Sequence, residues 1–433
     1  MRFRSVRLIS RAAAALLALS SAGACDLDLA NPNAPTEETV VTTVDGVIAV
    51  AVGMQQVYAQ AAEDFVLVPA LVTDEWGTQS LALVSYRSLL NGDSFDPGYG
   101  VVSAPWSSAY STIKAANTVL ASAPNVGLAS GYRNALTALA RLFKAMALGT
   151  IIMQYEEVPV ELGTAAVFRG RAVVLDTIIA LLETARADFA GVPAGELVSF
   201  RARVLGTGFD VLRTIDAMRA RYYLIAGLYQ QAIDAADSVK LDTLSVFSYP
   251  SPTVNPVYNL AFGLRYVAGL KSFVDQAEPG DQRVAYWLNT ASAPLGNPPD
   301  TLLYALKRYS GQNDAFPVYV PDEMKLIKAE AYARLGQYVT AAGLVNAVRT
   351  QTTSTVDEPV AGLPALDAAT QLATEAQLLA EIARQRRYEL FMQGLRWEDT
   401  RRLGTAITTT PTFTWLPTPT QECRGNPNAV NCQ

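Results

Sequence analysis

Apolar residues recur at helical spacing over most of this chain. Side chains at positions i, i+3, i+4 and i+7 share one face of a helix, so the pattern predicts amphipathic helices packed on a common core. Proline and glycine end several of these stretches, as at Pro159, beyond which a helix cannot continue. The clearest stretches are residues 44–61, 106–121, 132–155 and 172–189. The chain is therefore predicted to be mainly α-helical.

A short motif occurs twice in the second half of the chain. Each copy has a small residue, an aromatic residue, a glycine and an alanine, in that order and at the same spacing. This order is typical of a tetratricopeptide hairpin, in which the glycine makes the turn and the alanines lie where two helices cross. The two copies are Ala220, Tyr223, Gly227 and Ala232, and Ala329, Tyr332, Gly336 and Ala341. Because such hairpins bury their faces against one another, we expect the fold to bring the two copies together.

Two long segments lack helical periodicity. Residues 65–105 and 247–319 are rich in proline, glycine, asparagine, serine and aromatic side chains. We predict that both are ordered loops with short strands, inserted between the helices. Long structured loops on a helical scaffold usually carry binding sites, so the ligand-contacting residues are expected here.

Residues 381–404 concentrate charge within a stretch of helical spacing, with six arginines and four acids. Arg386 and Glu389 fall near the apolar seam, where leaving a charge unpaired would be strongly destabilising. Gly394 is predicted to break the helix and Gly404 to end a second, short one. The pattern therefore predicts a buried ion-pair lock between two helices, with a site for an anionic ligand as the alternative. The predicted lock residues are Arg386, Glu389, Arg396 and Asp399.

Composition narrows the possible functions. The chain has 433 residues, is 50% hydrophobic and 17% charged, and has a formal net charge of −6. An acidic chain is a poor match for nucleic acid, since phosphate binding needs a basic surface. The absence of histidine excludes histidine-based triads, general bases and metal ligands. No apolar run of membrane-spanning length lies beyond the amino-terminus, so no transmembrane helix is expected in the mature chain.

The amino-terminus has the pattern of an export signal. A basic stretch, an apolar stretch too short to span a bilayer, and the small residues Ala22-Gly23-Ala24 follow in order, so residues 1–24 are predicted to be a signal peptide. Cys25 then resembles the lipidated cysteine of a bacterial lipoprotein, although Ala22 stands where leucine is usual. Diacylated Cys25, carrying palmitate-type chains, would be a strong membrane anchor. Plain cleavage without lipidation is the alternative. Residues 25–43 are predicted to form a tether.

Two further cysteines lie close to the carboxy-terminus. Cys423 and Cys432 are predicted to close a small disulfide loop, because disulfides form readily in exported chains. Two thiols without histidine do not favour a metal site, and no cofactor is expected.

With these parts identified, nearly the whole mature chain resembles the SusD/RagB family of outer-membrane nutrient-binding lipoproteins. The longest similar stretches are PVYVPDEMKLIKAEAYARLG at 317–336 and RQRRYELFMQGLRWEDTRRLG at 384–404. The segment YEEVP at 155–159 and the leader with Cys25 add to the resemblance. One departure is Met392-Gln393, which replaces the usual small residue and glutamate before Gly394.

The resemblance implies one domain over residues 44–433, with four tetratricopeptide-like hairpins as a scaffold and an irregular half that carries the ligand face. It implies capture and delivery without bond breaking. The partner would be a SusC-like TonB-dependent outer-membrane transporter, and the ligand an oligosaccharide or a peptide. The expected location is the outer membrane, lipid-anchored and surface-exposed.

Aromatic rings in the two non-periodic segments are the candidates for sugar contact. Sugar binding uses flat rings against pyranose faces, flanked by hydrogen-bonding side chains. The candidates are Trp76, Tyr86, Tyr99, Tyr258, Arg265, Tyr266 and Trp287.

Two other functions compete with this interpretation. A tetratricopeptide adaptor for protein partners would share the scaffold, but it would leave the long irregular segments without a task. A glycan hydrolase would need two converging carboxylates, such as Asp74 with Glu75 or Glu156 with Glu157. Adjacent residues on a strand point to opposite faces, so neither pair converges by itself.

Overall fold

The computed structural model describes residues 41–93, 96–298, 301–404 and 413–432. The predicted signal peptide, the lipidated Cys25 and most of the tether lie outside the described residues. Helices form most of the described chain, so the prediction of a mainly α-helical protein with hairpins and irregular insertions is confirmed. The helices are α1 (Val44–Gln60), α2 (Ala62–Val72), α3 (Val84–Asn91), α4 (Gly100–Ser122), α5 (Ser130–Ile152), α6 (Arg171–Ala190), α7 (Ala194–Val204), α8 (Val211–Ile225), α9 (Tyr229–Asp237), α10 (Pro256–Tyr258), α11 (Lys271–Asp275), α12 (Arg283–Trp287), α13 (Pro321–Arg334), α14 (Tyr338–Arg349), α15 (Glu375–Glu389), α16 (Arg396–Leu403) and α17 (Thr420–Gly425).

Helix α5 lies at the centre of the scaffold and packs against α1, α4, α6 and α7. Among the described residues it is the one helix whose length and composition would allow it to cross a membrane, but 94% of its most apolar window is buried inside the protein. Small residues let its neighbours approach closely. A Cβ added to Gly149 would lie 1.9 Å from the hydroxyl oxygen of Tyr222 on α8.

The two copies of the repeated motif are helix hairpins. Helices α8 and α9 form one, α13 and α14 form the other, and α9 packs against α13. Gly227 and Gly336 occupy the turns with φ angles of +76° and +74°, in the left-handed region that favours glycine. The same backbone hydrogen bond, 2.8 Å long, closes each turn, from Leu228 N to Tyr223 O and from Gln337 N to Tyr332 O. The prediction that the fold brings the copies together is confirmed.

The first non-periodic segment is more helical than predicted. Residues 65–105 include most of α2, all of α3 and the start of α4 instead of loops alone. Every residue of α2 from Phe65 to Val72 is buried. A helix buried on all sides has no polar face, so its sequence lacks the 3.6-residue period on which the prediction depended.

Short antiparallel strands supply the rest of the irregular half. A four-stranded sheet has the order β1-β5-β7-β6, and two ribbons pair β2 with β3 and β4 with β8. The strands are β1 (Trp76–Thr78), β2 (Glu157–Pro159), β3 (Phe168–Gly170), β4 (Val246–Phe247), β5 (Val267–Leu270), β6 (Leu288–Asn289), β7 (Leu303–Leu306) and β8 (Phe316–Pro317). Four of these eight strands lie within the second non-periodic segment, where short strands were predicted.

Helices α15 and α16 form the predicted ion-pair lock. Arg386 Nε donates to Asp399 Oδ2 over 2.7 Å, while Glu389 accepts from Arg283 at 3.3 Å. Two of the predicted lock residues, Arg386 and Asp399, therefore pair between the helices, whereas Glu389 pairs with α12. Gly394 has a φ of +71° and turns α16 back onto α15, which brings Asp399 beside Arg386.

Further ion pairs fix α16 to the scaffold. Arg402 bridges Asp399 and Glu330 of α13, and Arg396 Nε donates to the Thr73 carbonyl at the end of α2 over 3.0 Å. We call Arg386, Asp399, Arg402, Glu330 and Arg396 the charged clasp. All are buried or nearly so, and they join α2, α13, α15 and α16.

The carboxy-terminal segment is fixed by a disulfide and by backbone contacts. Cys423 and Cys432 are disulfide-bonded, as predicted, with their Cα atoms 5.9 Å apart. Leu416 N donates to Gln154 O over 2.9 Å, and Asn426 Nδ2 donates to Ala166 O over 2.9 Å. The end of the chain thus packs against the β2–β3 ribbon.

Candidate ligand-binding site

An open pocket of about 530 Å³ lies at the exposed side of β5 and β7. Cavities of a few hundred to a thousand cubic ångströms are typical of small-molecule sites. Three loops form its walls, at residues 79–81, 261–265 and 292–295. All three belong to the two segments predicted to carry the ligand face.

Gln79 fixes two of these loops to each other. Its Nε2 donates to Val267 O over 2.6 Å and to Ala261 O over 3.2 Å. Its own carbonyl accepts from Asn297 Nδ2 over 2.5 Å. The pocket walls are therefore held by hydrogen bonds to one side chain, which preorganises the site for a ligand.

Arg265 is the exposed cation of the pocket. It follows a π-helical turn (Asn259–Gly263) and has a φ of +57°, a backbone conformation that residues with a side chain rarely adopt. Its guanidinium forms no ion pair with any described residue. Strained residues of this kind cluster at binding sites. Arg265 thus offers up to five N–H donors to a ligand.

Three of the predicted tyrosines lie around the same pocket. Tyr258 stacks on Phe262, a lining residue, with ring centroids 5.5 Å apart and an interplanar angle of 21°. Tyr266 is flanked by two lining residues and meets Tyr86 edge to face, with centroids 5.7 Å apart. All three tyrosines are half-buried. The structure therefore brings Tyr86, Tyr258, Arg265 and Tyr266 into one region.

The two predicted tryptophans do not contribute to a surface. Trp76 is 0% exposed and Trp287 is 1% exposed. Trp76 belongs to β1, and Trp287 Nε1 donates to Tyr388 O over 2.8 Å. The expectation that these rings face a ligand is not met, because both are buried in the main hydrophobic core.

Tyr99 lies away from the pocket. It precedes α4, and a Cβ added to its neighbour Gly98 would lie 3.7 Å from Thr420 of α17. Its half-buried ring packs against the main core. Tyr99 is therefore a predicted site residue of segment 65–105 that lies outside the pocket.

Sequence reasoning missed the apolar side chains at the pocket rim. Leu81 is 62% exposed and Leu295 is 75% exposed, and both line the pocket. Leu302 forms an isolated bridge with Leu295, and Leu264 precedes Arg265; both are also exposed. The signal available in the sequence was weak: single leucines flanked by serine, proline or glycine in non-periodic segments. Together they form an exposed apolar rim of the kind that marks a binding surface.

Two acids, Glu63 and Asp64, lie close to Tyr86. Burial, together with the adjacent Asp64 carboxylate, raises the pKa of Glu63 to about 7. Burial also raises the pKa of Tyr86 to about 12, with Glu63 and Asp64 contributing. Asp64 accepts a hydrogen bond from Ser108 Oγ over 2.8 Å. The Tyr86 hydroxyl therefore stays protonated and can donate a hydrogen bond at physiological pH.

The carboxylate pairs considered for hydrolysis do not form an open site. Asp74 and Glu75 are both buried, and burial raises the pKa of Glu75 to about 7. Glu156 is exposed and Glu157 lies in the β2–β3 ribbon, which does not line the pocket. Three other carboxylates, those of Asp322, Glu358 and Glu389, lie close enough to share a cation, and they are buried in the scaffold.

Comparison with known proteins agrees with this architecture. Residues 305–430 match the model of the SusD family. A SusD superfamily protein from Bacteroides thetaiotaomicron has the same fold, with a TM-score of 0.69 and 15% identity over 90% of this chain and 100% of that one. No curated protein matches the sequence.

Two further similar structures are those of a carbohydrate binding protein and a laminarin binding protein. One is a SusD-like carbohydrate binding protein from Bacteroides vulgatus, with a TM-score of 0.65 and 16% identity over 83% of each chain. The other is a laminarin binding SusD-like protein, with a TM-score of 0.64 and 16% identity over 87% of this chain and 97% of that one. The resemblance to the SusD/RagB family is thereby confirmed, by sequence over residues 305–430 and by fold over most of the chain.

Proposed function

We propose that this protein binds an extracellular oligosaccharide and delivers it to a partner transporter, without breaking a bond. The observation that carries the proposal is the 530 Å³ pocket of the irregular half, with Arg265 in its wall. Similarity in fold to a laminarin binding SusD-like protein supports glycan as the ligand class.

The chemistry of the pocket suits a pyranose ring. The C–H face of a sugar packs on aromatic and aliphatic surfaces, here the Phe262–Tyr258 stack and Leu295. Hydroxyl groups then accept from the Arg265 guanidinium and exchange hydrogen bonds with Ser80 and Ser292. This division between an apolar floor and a few polar side chains is typical of small-molecule sites.

Calorimetric titration with laminarin oligosaccharides and with other glycans tests the proposal directly. We expect Arg265→Ala and Phe262→Ala each to weaken binding at least about tenfold, since each removes contacts of ~1–2 kcal/mol. Tyr99→Ala is the matched control outside the pocket and should keep the affinity of the unchanged protein. Unchanged affinity in both pocket variants would contradict this location of the site.

The exposed rim favours a second ligand class, a peptide with apolar side chains. Leu81 and Leu295 would then contact aliphatic groups in place of a sugar face. Titration with a mixed peptide library alongside the glycans separates the two. Binding of peptides alone would replace oligosaccharide by peptide in the proposal and keep the pocket.

We further propose anchoring in the outer membrane through diacylated Cys25, next to a SusC-like TonB-dependent transporter. Mass spectrometry of the mature amino-terminus should find a diacylglyceryl cysteine, and Cys25→Ala should release the protein from the membrane. Mild detergent extraction should recover the protein with a large β-barrel. Recovery with soluble protein partners alone would favour the tetratricopeptide adaptor instead.

The absence of catalysis is part of the proposal. Incubation of the purified protein with a bound glycan should produce no new reducing ends. Their appearance, together with loss of the activity in Glu75→Gln or Glu157→Gln, would favour the hydrolase.

A further inference from the structure

Three buried carboxylates from separate parts of the chain meet between the carboxy-terminal hairpin and the irregular half. Asp322 lies in the first turn of α13, Glu358 in the segment after α14, and Glu389 at the end of α15. One oxygen of each lies within 4.8 Å of the others. All three residues are buried, Glu389 completely.

Each of these carboxylates has at least one buried oxygen that accepts no hydrogen bond from any described residue. These oxygens are Asp322 Oδ1 and Oδ2, Glu358 Oε2 and Glu389 Oε1. The other oxygens of the two glutamates have partners. Glu358 accepts from Ser354 Oγ over 2.6 Å, and Glu389 accepts from Arg283. Fully buried oxygens without donors are rare in folded proteins and need compensation.

The nearby basic groups do not balance the charge of this cluster. Lys325 Nζ lies 2.5 Å from Asp322 Oδ1, and Arg283 contacts Glu389 at 3.3 Å. Arg283 is also shared with Asp281, which it contacts at 2.7 Å. Four carboxylates therefore face two basic side chains. Burial of the excess negative charge is strongly destabilising, so the cluster must hold either protons or a cation.

We propose that Asp322, Glu358 and Glu389 bind one divalent cation, with Ca²⁺ as the best match. Two positive charges neutralise the cluster, and a set made only of oxygens selects a hard cation. Ca²⁺–oxygen distances of about 2.3–2.6 Å place ligands of one ion up to about 5 Å apart, whereas the shorter distances to Mg²⁺ limit them to about 4 Å. The three oxygens lie within 4.8 Å of one another, which is within the reach of one Ca²⁺ ion.

The ion would connect the irregular half to the hairpin scaffold. Asp357, next to Glu358, pairs with Arg308 at 2.7 Å and accepts from the Tyr286 hydroxyl over 3.1 Å. Glu389 and Asp322 belong to helices of the scaffold. A cation at this junction therefore holds the segment after α14 against both halves, and it acts on stability rather than on the ligand pocket.

Terbium luminescence provides a direct test, because Tb³⁺ replaces Ca²⁺ and is sensitised by nearby aromatic rings. Trp287 donates its Nε1 proton to Tyr388 O, adjacent to Glu389, so it is well placed to transfer energy. We expect the mature, chelator-treated protein to bind one Tb³⁺ saturably, and Ca²⁺ to displace it more effectively than Mg²⁺. Chelator should lower the midpoint of thermal unfolding by a few degrees, and Ca²⁺ should restore it.

Glu358→Gln removes one ligand charge and keeps the shape of the side chain. This variant should lose the terbium signal and the Ca²⁺-dependent shift in unfolding. Glu75→Gln is the matched control, since Glu75 is an equally buried carboxylate outside the cluster. It should retain both effects. Absence of saturable terbium binding in the unchanged protein, or its persistence in Glu358→Gln, would overturn the proposal.

Discussion

The charged clasp and the ligand pocket use arginine in opposite ways. In the clasp, Arg386 and Arg402 are buried and each contacts a buried carboxylate. At the pocket, Arg265 is exposed and forms no ion pair with a described residue, and leucines rather than acids surround it. The chain thus buries charge where helices join and exposes apolar surface where the loops meet.

This difference separates stability from binding. Removing one partner of a buried ion pair leaves an uncompensated charge, which strongly destabilises a fold. An exposed arginine without a partner contributes little to stability and remains available to a ligand. Variants in the two regions should therefore change different measurements.

The largest effect is expected for Arg386→Ala. It leaves Asp399 buried with only Arg402 as a partner, so the free energy of unfolding should fall by about 3–5 kcal/mol. Denaturant unfolding measures this loss. Ligand affinity of the folded fraction should not change. Arg384→Ala is the control, because Arg384 is exposed and its ion pairs are long, and it should be nearly neutral. Loss of ligand binding by a normally stable Arg386→Ala protein would return this segment to the binding site.

A smaller effect is expected for Glu63→Gln, a substitution close to Tyr86. The pKa of Glu63 is raised from 4.5 to about 7 in the folded protein, so the folded state binds the proton more tightly than the unfolded state. Stability from this group is therefore present at low pH and is lost as the pH rises from 4.5 to about 7. At pH 8 the glutamine variant should be more stable by about 1–3 kcal/mol, and its stability should vary less over that range.

Thermal unfolding between pH 4 and pH 8 measures this difference. Asp242→Asn changes an exposed acid and should keep the pH dependence of the unchanged protein. Equal pH profiles for Glu63→Gln and the unchanged protein would show that Glu63 ionises normally.

Gln79→Ala should lower both stability and ligand affinity moderately. It removes the hydrogen bonds from the Gln79 side chain to the carbonyls of Val267 and Ala261. The free energy of unfolding should therefore fall by about 1–2 kcal/mol. The pocket walls also lose their common anchor, so affinity for the ligand should fall as well. Hydrogen exchange at residues 261–268 should increase. Unchanged exchange in this segment would mean that the walls are held by other contacts.

The smallest effect on stability is expected for Arg265→Gly. Glycine adopts the φ of +57° without strain, which should offset its higher entropy in the unfolded chain to within about 1 kcal/mol. Ligand affinity should nevertheless fall as in Arg265→Ala, because the guanidinium is lost. Calorimetric titration beside thermal unfolding measures both quantities. Arg201→Gly, on the exposed face of α7, is expected to give the reverse pattern, with a small loss of stability and unchanged affinity.

The sequence predicted those parts of the fold whose signals are local. The hairpin turns at Gly227 and Gly336 follow from spacing within one motif, and the break at Gly394 follows from one residue type. Helix α2 was missed because burial on every side removes the periodicity. The pairing of Arg386 with Asp399 could not be predicted, since the direction of α16 after Gly394 depends on packing against α2 and α13.

The pocket was predicted by region and only in part by residue. The composition of a segment shows that it is irregular, but it does not show which of its aromatic side chains are buried in the core. Trp76 entered the core as part of β1, whereas Phe262, which was not predicted, lines the surface. Large aromatic rings bury well in any environment, so residue type alone favours neither outcome.

The contact between Arg396 and Thr73 has a consequence for how the chain folds. These two residues are 323 positions apart, and this contact joins α16 to the end of α2. Contacts of such long range form slowly, because a large loop must close first. A chain made from its amino-terminus cannot complete the packing of α2 until almost all of its residues have been synthesised. Fragments that end before α16 should therefore expose the apolar surface of α2 and be degraded or aggregate.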